Sequence, residues 1–322
     1  PKIINFCNQR FYGGRLLIMT EDRGEPDVIT AWRTVLGHHA RGAFNPREIE
    51  TIRREVLPSL PCEQAEIGII SPYNEQVNAL HRELGEGIDV ATVHKFQGRE
   101  KEAIILSTVD DQITAFTDDP NLLNVAVSRA KRQFTLVTSS NEQPDSRDIA
   151  DLLAYIDYNG GKITESTIHS VFDMLYEPYA EARREFLKRH RRISEFDSEN
   201  LIYALLEQVL EAEPAFRYLG VLCHQPLRQL IRDWTLLNDE ERRYASNGAT
   251  HLDFLIYNRV SKRPVLAIET DGYQFHKQGT RQSERDRMKD RILDRYALPL
   301  LRLSTTGTDE EAKIKDQLSK IV

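Results

Sequence analysis

Three acidic residues stand in two short apolar segments near the carboxyl-terminal end of the sequence. Asp253 lies within HLDFLIY, and Glu269 and Asp271 lie within VLAIETDGY. Alternate residues of a β-strand share one face, so Glu269 and Asp271 point to the same side of their strand. If the two segments form a hairpin centred on Ser261, Asp253 lies directly opposite Glu269, because both are equally distant from that turn. The pattern therefore predicts two carboxylates side by side in a sheet.

Directly opposed carboxylates repel each other unless a cation neutralises them. Mg²⁺ and Mn²⁺ prefer oxygen ligands, and either ion can activate water for attack on a phosphodiester. We therefore interpret Asp253 and Glu269 as the ligands of a hydrolytic metal site. The alternative is an exposed acidic sheet face, which the surrounding apolar residues disfavour.

A helix predicted over Glu284–Tyr296 brings basic residues toward the same region. Ser283 and Asp286 are typical of a helix start. Arg285 and Lys289 fall within its apolar stripe, where a charge is costly unless it is paired. We expect both side chains to reach toward the carboxylates. Alternatively, their long stems cover the core and their charged ends lie in water.

A second set of chemically suggestive residues lies in the first half, within TVHKFQGREKEAIILSTV and NLLNVAVSRAKRQFTLV. A guanidinium fixed after an apolar run, such as that of Arg129, can stabilise charge on a transferring phosphoryl group. Gly98 permits close approach of the backbone to a ligand, and Glu100 could accept a hydrogen bond from a ribose hydroxyl. Taken singly, Arg129 could equally be a surface ion pair and Gly98 a simple turn.

The elements around these residues divide the chain into two α/β regions. Apolar runs alternate with helices up to residue 141, which predicts a parallel sheet covered on both faces. Asn45 and Pro46, with Glu48 as a capping-box residue, predict a helix from about Pro46 to Val56. From Asp197 onward, a helix, a hairpin, a second helix and a last strand predict a mixed α/β sheet. We predict domains over 1–141 and 197–322, with a helical connector over 142–196.

Composition limits the classes of function. The net charge of −7 argues against a protein that coats nucleic acid without specificity. The basic run Arg183–Arg192 could contact phosphate or form a solvated helix face. Because no apolar run approaches the roughly 20 residues that span a bilayer, we expect a soluble, cytoplasmic protein without a membrane partner. The three cysteines are widely spaced and predict core thiols.

The segments Thr92–Val109 and Asn121–Val137 resemble two signature motifs of superfamily 1 helicases, in that family's order. SPYNEQV and the opening PKIINFCNQRFYGG resemble neighbouring family segments. The resemblance implies that residues 1–141 are the second RecA-like motor domain. It also implies ATP contacts by Gln97, Gly98, Glu100 and the arginine finger Arg129, and nucleic-acid contacts by Tyr73, Thr92, His94 and Lys95. The sequence has no G-x-x-x-x-G-K-[ST] loop, so we expect ATP hydrolysis to need the missing first motor domain of a longer parent protein.

The carboxyl-terminal region resembles the PD-(D/E)XK nuclease superfamily, most closely its very-short-patch-repair-like members. AIETDGYQFH, ERDRMKDRILDRYALPLLRL and SENLIYALL carry this resemblance. It implies that Glu199, Asp253 and Glu269 are the acidic residues of a restriction-endonuclease-like fold. Asp271 stands where the superfamily pattern has a lysine, so we expect Lys289 to supply that charge. His276 matches an E-x-D-G variant followed by histidine, and would transfer a proton or contact phosphate.

Two functions of different classes follow from these observations. The first is a helicase fragment joined to an active metal-dependent nuclease that cleaves DNA. The second is a catalytically inactive nuclease-like module that positions DNA or a partner. RNA in place of DNA is also compatible with this helicase branch. The residues do not decide between endonuclease and exonuclease action.

Overall fold

The computed structural model describes residues 1–19, 21, 24–272 and 281–321, with the backbone alone at 281–283. The chain divides into two compact units, Pro1–Ile168 and His169–Val322. The helical connector predicted for 142–196 is divided between them, because residues 142–168 fold with the first unit and 169–196 with the second.

The first unit contains a six-stranded sheet in which all neighbouring strands are parallel, in the order β3-β2-β4-β5-β1-β6. Its strands are β1 (Ile29–Thr34), β2 (Ile67–Ser71), β3 (Asp89–Thr92), β4 (Lys101–Ser107), β5 (Ala130–Ser139) and β6 (Ile163–Glu165). The central strands are apolar on both faces, as a parallel sheet between two layers requires.

Helices cover this sheet and enclose two apolar clusters. They are α1 (Lys2–Phe11), α2 (Pro46–Thr51), α3 (Leu57–Ser59), α4 (Asn74–Leu84), α5 (Val93–Phe96), α6 (Pro120–Ser128) and α7 (Asp148–Tyr158). A π-helical turn, Ile52–Val56, joins α2 to α3. The α/β class predicted for this region is confirmed.

The start of α2 confirms one prediction and corrects another. Asn45 is the N-cap, and its side chain accepts hydrogen bonds from the backbone N–H groups of Arg47 and Glu48. The capping-box role of Glu48 is wrong. The Glu48 carboxyl instead accepts hydrogen bonds from Ser107, Thr108 and the N–H of Val109, because the helix start is buried against the end of β4.

The second unit contains a four-stranded mixed sheet in the order β10-β9-β8-β7. Its strands are β7 (Leu219–Pro226), β8 (His251–Asn258), β9 (Pro264–Asp271) and β10 (Leu300–Ser304). Its helices are α8 (Ala180–Lys188), α9 (Asp197–Ala212), α10 (Asp239–Ser246), α11 (Arg281–Arg295) and α12 (Glu310–Ile321). Strands β7, β8 and β9 are antiparallel neighbours, and β10 runs parallel to β9 after the crossover through α11.

The hairpin register agrees with the predicted centre at Ser261 in the part of the hairpin far from the turn, where the acidic residues lie. Phe254 pairs with Ile268, and Leu255 pairs with Ala267. The same register sets Asp253 opposite Glu269. Nearer the turn, an irregularity at Ile256 and Tyr257 shifts the pairing by one residue. The mixed α/β fold predicted for this region is therefore confirmed.

No helix within the described ranges is long and apolar enough to cross a membrane.

Candidate functional site

A cavity of about 270 Å³ in the second unit gathers the predicted catalytic side chains. The first turn of α9, the start of β8, the end of β9 and the first half of α11 surround it. Its charged lining residues are Glu199, Asp253, Glu269, Asp271, Arg285, Asp286 and Lys289. Residues separated by up to 90 positions in the chain thus share one concave site.

Asp253 and Glu269 are neighbours on the paired strands β8 and β9. The N–H of Asp253 donates to Glu269 Oε1 at 3.4 Å, and the N–H of Thr270 donates to Asp253 Oδ2 at 2.8 Å. Burial raises the pKa of Glu269 to about 7; the charge of Lys289 opposes this shift, and that of Asp253 adds to it. The two carboxylates therefore face one another in a poorly solvated site, where a cation is stabilising.

Lys289 supplies a positive charge within that site. Its Nζ lies 2.6 Å from Glu269 Oε2 and donates to the backbone oxygen of His251 at 3.0 Å. The lysine is only 8% exposed. The side chain therefore reaches the carboxylates, as its place in the apolar stripe of α11 led us to expect. Arg285 lines the same cavity but lies at an exposed position.

Asp271 is neutralised by a residue that the sequence reasoning missed. Arg302, on β10, lies 3.1 Å from Asp271 Oδ1 and 2.8 Å from Asp290 Oδ1. The signal available in the sequence was an arginine within the apolar strand LPLLRLS, since a charge there needs a partner. Asp271 is thus an acid held in an ion pair.

Glu199 approaches the cavity from α9. Its Oε2 atom is buried, has no hydrogen-bond partner among the described residues, and lies 3.6 Å from His224 Nε2. His224 is a second residue that the sequence reasoning missed. His276, the predicted proton-transfer residue, lies outside the described residues.

The donor set suits a hard divalent cation held by few protein ligands. Mg²⁺ is commonly bound through one or two carboxylates, with waters and substrate phosphates completing its shell. Asp253 and Glu269 provide two such groups, and the buried Thr270 Oγ1 and Glu199 Oε2 lack hydrogen-bond partners in the described part of the chain. Within those same residues, no cluster of three or more His, Cys, Asp or Glu side chains could hold a metal ion.

In the first unit, the predicted nucleic-acid residues collect at the carboxyl edge of the parallel sheet. Tyr73 follows β2, Thr92 ends β3, and His94 and Lys95 lie in α5 directly after it. His94 and Lys95 are exposed, whereas Thr92 is only 8% exposed. The hydroxyl of Tyr73 donates to Asp110 Oδ1 at 2.9 Å. The two basic side chains are therefore the accessible members of this group.

The predicted nucleotide-contacting residues are brought together elsewhere. The N–H of Lys101 donates to the backbone oxygen of Arg129 at 3.1 Å, so Glu100 and Arg129 are neighbours at the amino ends of β4 and β5. Gln97, Gly98 and Glu100 are exposed, and Gly98 has a φ of 82°, which disfavours any side chain there. Arg129 Nε is buried without a hydrogen-bond partner among the described residues. This guanidinium is therefore positioned with unused donor capacity.

Comparisons with known proteins distinguish the two units. Residues 1–141 match a family model described as an AAA domain. Residues 196–321 match a family described as a protein of unknown function, DUF2726.

Three curated relatives overlap part of the chain. An uncharacterized ATP-dependent helicase of Methanocaldococcus jannaschii is 39% identical over 101 residues, which are 30% of this chain and 15% of that protein. DNA polymerase alpha-associated DNA helicase A of Saccharomyces cerevisiae is 39% identical over 114 residues, covering 32% and 16%. Regulator of nonsense transcripts 1 of Dictyostelium discoideum is 43% identical over 105 residues, covering 29% and 8%.

The chain thus spans 16% or less of the length of these three relatives. The matches support the interpretation of residues 1–141 as a helicase motor domain.

Proposed function

We propose that this chain is part of a nucleic-acid helicase whose carboxyl-terminal unit is a metal-dependent nuclease, with DNA as its substrate. The observation that carries the nuclease proposal is the cavity in which Asp253 and Glu269 face each other beside the buried ammonium of Lys289. Glu199 and the ion pair of Asp271 with Arg302 complete its charged surroundings.

Asp253 and Glu269 would hold Mg²⁺ or Mn²⁺, which when bound provides an activated water for attack on the phosphodiester. The groups around it have separate roles. The backbone donors of Thr270 and Asp253 orient the two carboxylates. Lys289 stabilises negative charge that develops on the phosphate in the transition state.

Lys289→Met tests that role, because the substitution keeps the apolar stem and removes the charge. Loss of one transition-state contact typically lowers a rate by about 10²-fold. We expect a loss of this size in the cleavage rate at saturating Mg²⁺. A rate within about threefold of the parent chain would exclude a catalytic charge at this position and leave His276 as the remaining candidate.

For the first unit we propose ATP-dependent translocation in a longer parent protein that supplies the other motor domain. Arg129 would act as an arginine finger beside the exposed Gln97, Gly98 and Glu100. Tyr73, Thr92, His94 and Lys95 would contact the nucleic acid from the carboxyl edge of the sheet. The named DNA helicase among the relatives supports DNA as the substrate of this unit.

One observation favours the rival proposal of a catalytically inactive binding module. Lys289 occupies Glu269 Oε2 at 2.6 Å and Arg302 occupies Asp271, so both acids of β9 already have cationic partners. An ion pair of this kind can hold an acidic site together without a metal.

Incubation of the chain with labelled single-stranded, duplex and forked DNA separates the two proposals. The nuclease proposal predicts cleavage products with Mg²⁺ or Mn²⁺ and intact strands with EDTA. Binding of these strands without cleavage in either metal would instead support the inactive module. A parallel set of RNA strands identifies the preferred sugar.

A further inference from the structure

His224 has a strained backbone at a position that faces the candidate site. Its φ is 50°, and it is the one non-glycine residue with positive φ that lies inside a strand of the described ranges. Cys223 pairs with Phe254 and Gln225 with Leu252, so His224 lies opposite Asp253. A side chain in this conformation is costly, and such strain is concentrated at functional sites.

The imidazole of His224 is held from one side. Its Nε2 lies 3.3 Å from the backbone oxygen of Ile193 and 3.6 Å from Glu199 Oε2. Both neighbours are acceptors, so Nε2 carries a hydrogen. In the imidazolium form Nδ1 carries a second hydrogen, and that N–H is left to donate to a further acceptor. The ring also packs edge-on against His251, and the side chain is 38% exposed. A partly exposed imidazole therefore lies beside the cavity that Glu199 and His251 line.

Positive charge adjoins this imidazole. Ile193 directly follows Arg191 and Arg192, which are both exposed. Burial raises the pKa of Cys223 to about 11 and the charge of Arg191 opposes that shift, so the guanidinium lies near β7. A phosphate approaching several carboxylates is repelled, and flanking cations offset that repulsion.

We propose that His224 is a substrate-contacting residue, whose Nδ1–H donates to a phosphate oxygen of a nucleic-acid strand that passes Arg191 and Arg192 on its way to the acidic cavity. The backbone oxygen of Ile193 holds the ring, and Glu199 lies beside it. This inference rests on the proposed nuclease function and adds the path of its substrate. Phosphate contacts of this kind fix the register of a strand without reading its sequence.

His224→Gly tests the contact and the strain together. Glycine adopts positive φ without cost, so the midpoint of thermal unfolding should hold or rise by up to about 4 °C. Cleavage of single-stranded DNA in Mg²⁺ should fall at least about tenfold, as expected for loss of a charged hydrogen bond. Lys262→Gly is the matched control, because Lys262 has a φ of 59° in the turn between β8 and β9. It should change the melting temperature similarly and leave cleavage within about twofold.

A strand-binding measurement keeps this proposal separate from the nuclease proposal. With Ca²⁺ in place of Mg²⁺, a fluorescein-labelled single-stranded oligodeoxynucleotide should bind His224→Gly more weakly than the parent chain. Replacing both Arg191 and Arg192 by Gln should reduce the slope of log affinity against log salt by about 1.4, the value for two lost phosphate contacts. If the parent chain cleaves nothing but binds the oligonucleotide more tightly than the variants do, the nuclease proposal is overturned and the His224 contact is retained.

The proposal fails if His224→Gly binds the oligonucleotide and cleaves it as the parent chain does. It also fails if His224→Gly melts well below both the parent chain and Lys262→Gly, because His224 would then be a structural residue.

Discussion

The ion pair between Glu269 and Lys289 is buried on both sides, with the side chains 7% and 11% exposed. Removing one member of a buried pair leaves an uncompensated charge and costs about 3–5 kcal/mol, whereas replacing both with apolar groups is often neutral or stabilising. We therefore predict that Glu269→Leu lowers the free energy of unfolding by about that amount. The double variant Glu269→Leu with Lys289→Met should recover most of the loss.

Urea unfolding of the two single variants and the double variant measures this coupling. The pair Glu185 and Lys188 on α8 is an exposed comparison, for which the coupling should be at most about 1 kcal/mol. Strictly additive losses at Glu269 and Lys289 would show that the two groups do not interact as the structure indicates.

The residues in and beside this cavity differ in how far the sequence could reveal them. The alternation of HLDFLIY and VLAIETDGY was sufficient to predict that Asp253 lies opposite Glu269. Helical periodicity was sufficient to predict that Lys289 reaches toward them. Recognition of Arg302 depends on the parallel pairing of β10 with β9, which forms across a long crossover. Recognition of His224 depends on its positive φ, which no local sequence pattern predicts.

At the scale of elements, α2 is fixed to the end of β4 by a buried carboxyl group. Burial raises the pKa of Glu48 from its ordinary 4.5 to about 8, and hydrogen bonds from Ser107 and Val109 oppose that shift. Between these pH values the folded chain binds the proton more tightly than the unfolded chain does. The stabilising contribution of protonated Glu48 is therefore complete below about pH 4.5 and is lost as the pH rises through about 8.

Glu48→Gln should remove that pH dependence. We expect the free energy of unfolding of the parent chain to decline more steeply between about pH 5 and pH 8 than that of the variant, by at most about 1.4 kcal/mol per pH unit. Urea unfolding across this range measures the difference. Glu75→Gln, at an exposed position in α4, is the control. Parallel pH profiles of the parent chain and Glu48→Gln would refute a buried, protonated Glu48.

Elements with strong local periodicity were predicted, and those that depend on distant partners were not. The strands β2, β4 and β5 carry long apolar runs, and Asn45 marks the start of α2. The edge strand β6 has three residues and pairs with β1, more than 100 residues earlier. Such a strand is specified by the sheet it joins and has no distinct pattern of its own.

At the scale of the whole molecule, the motor unit lacks the loop that cradles nucleotide phosphates. No G-x-x-x-x-G-K-[ST] segment occurs in the sequence. We predict that the purified chain releases no phosphate from ATP, with or without DNA, because an arginine finger acts only on a γ-phosphate bound by other groups. ATP turnover that disappears in Arg129→Ala would contradict the interpretation that this unit needs a second motor domain to hydrolyse ATP.

The division into two units also shows the limit of reading boundaries from composition. Residues 142–196 are charged and largely helical, which suggested a separate connector. In the structure, α7 packs on the first sheet and β6 is an edge strand of that sheet, whereas α8 belongs to the second unit. Each half of this segment joins the unit with which its apolar side chains pack, and the linear sequence does not show those contacts.

The most direct test of the central claim is the rate of Mg²⁺-dependent DNA cleavage by the parent chain and by Asp253→Asn, with Arg243→Gln as a control at an exposed position of α10. Asparagine keeps the size of the side chain and the acceptor for the Thr270 N–H but removes the charge that holds the cation. We predict cleavage by the parent chain and by Arg243→Gln, none in EDTA, and none above background by a folded Asp253→Asn. Cleavage by Asp253→Asn at the parent rate would contradict the assignment of this cavity as the nuclease site.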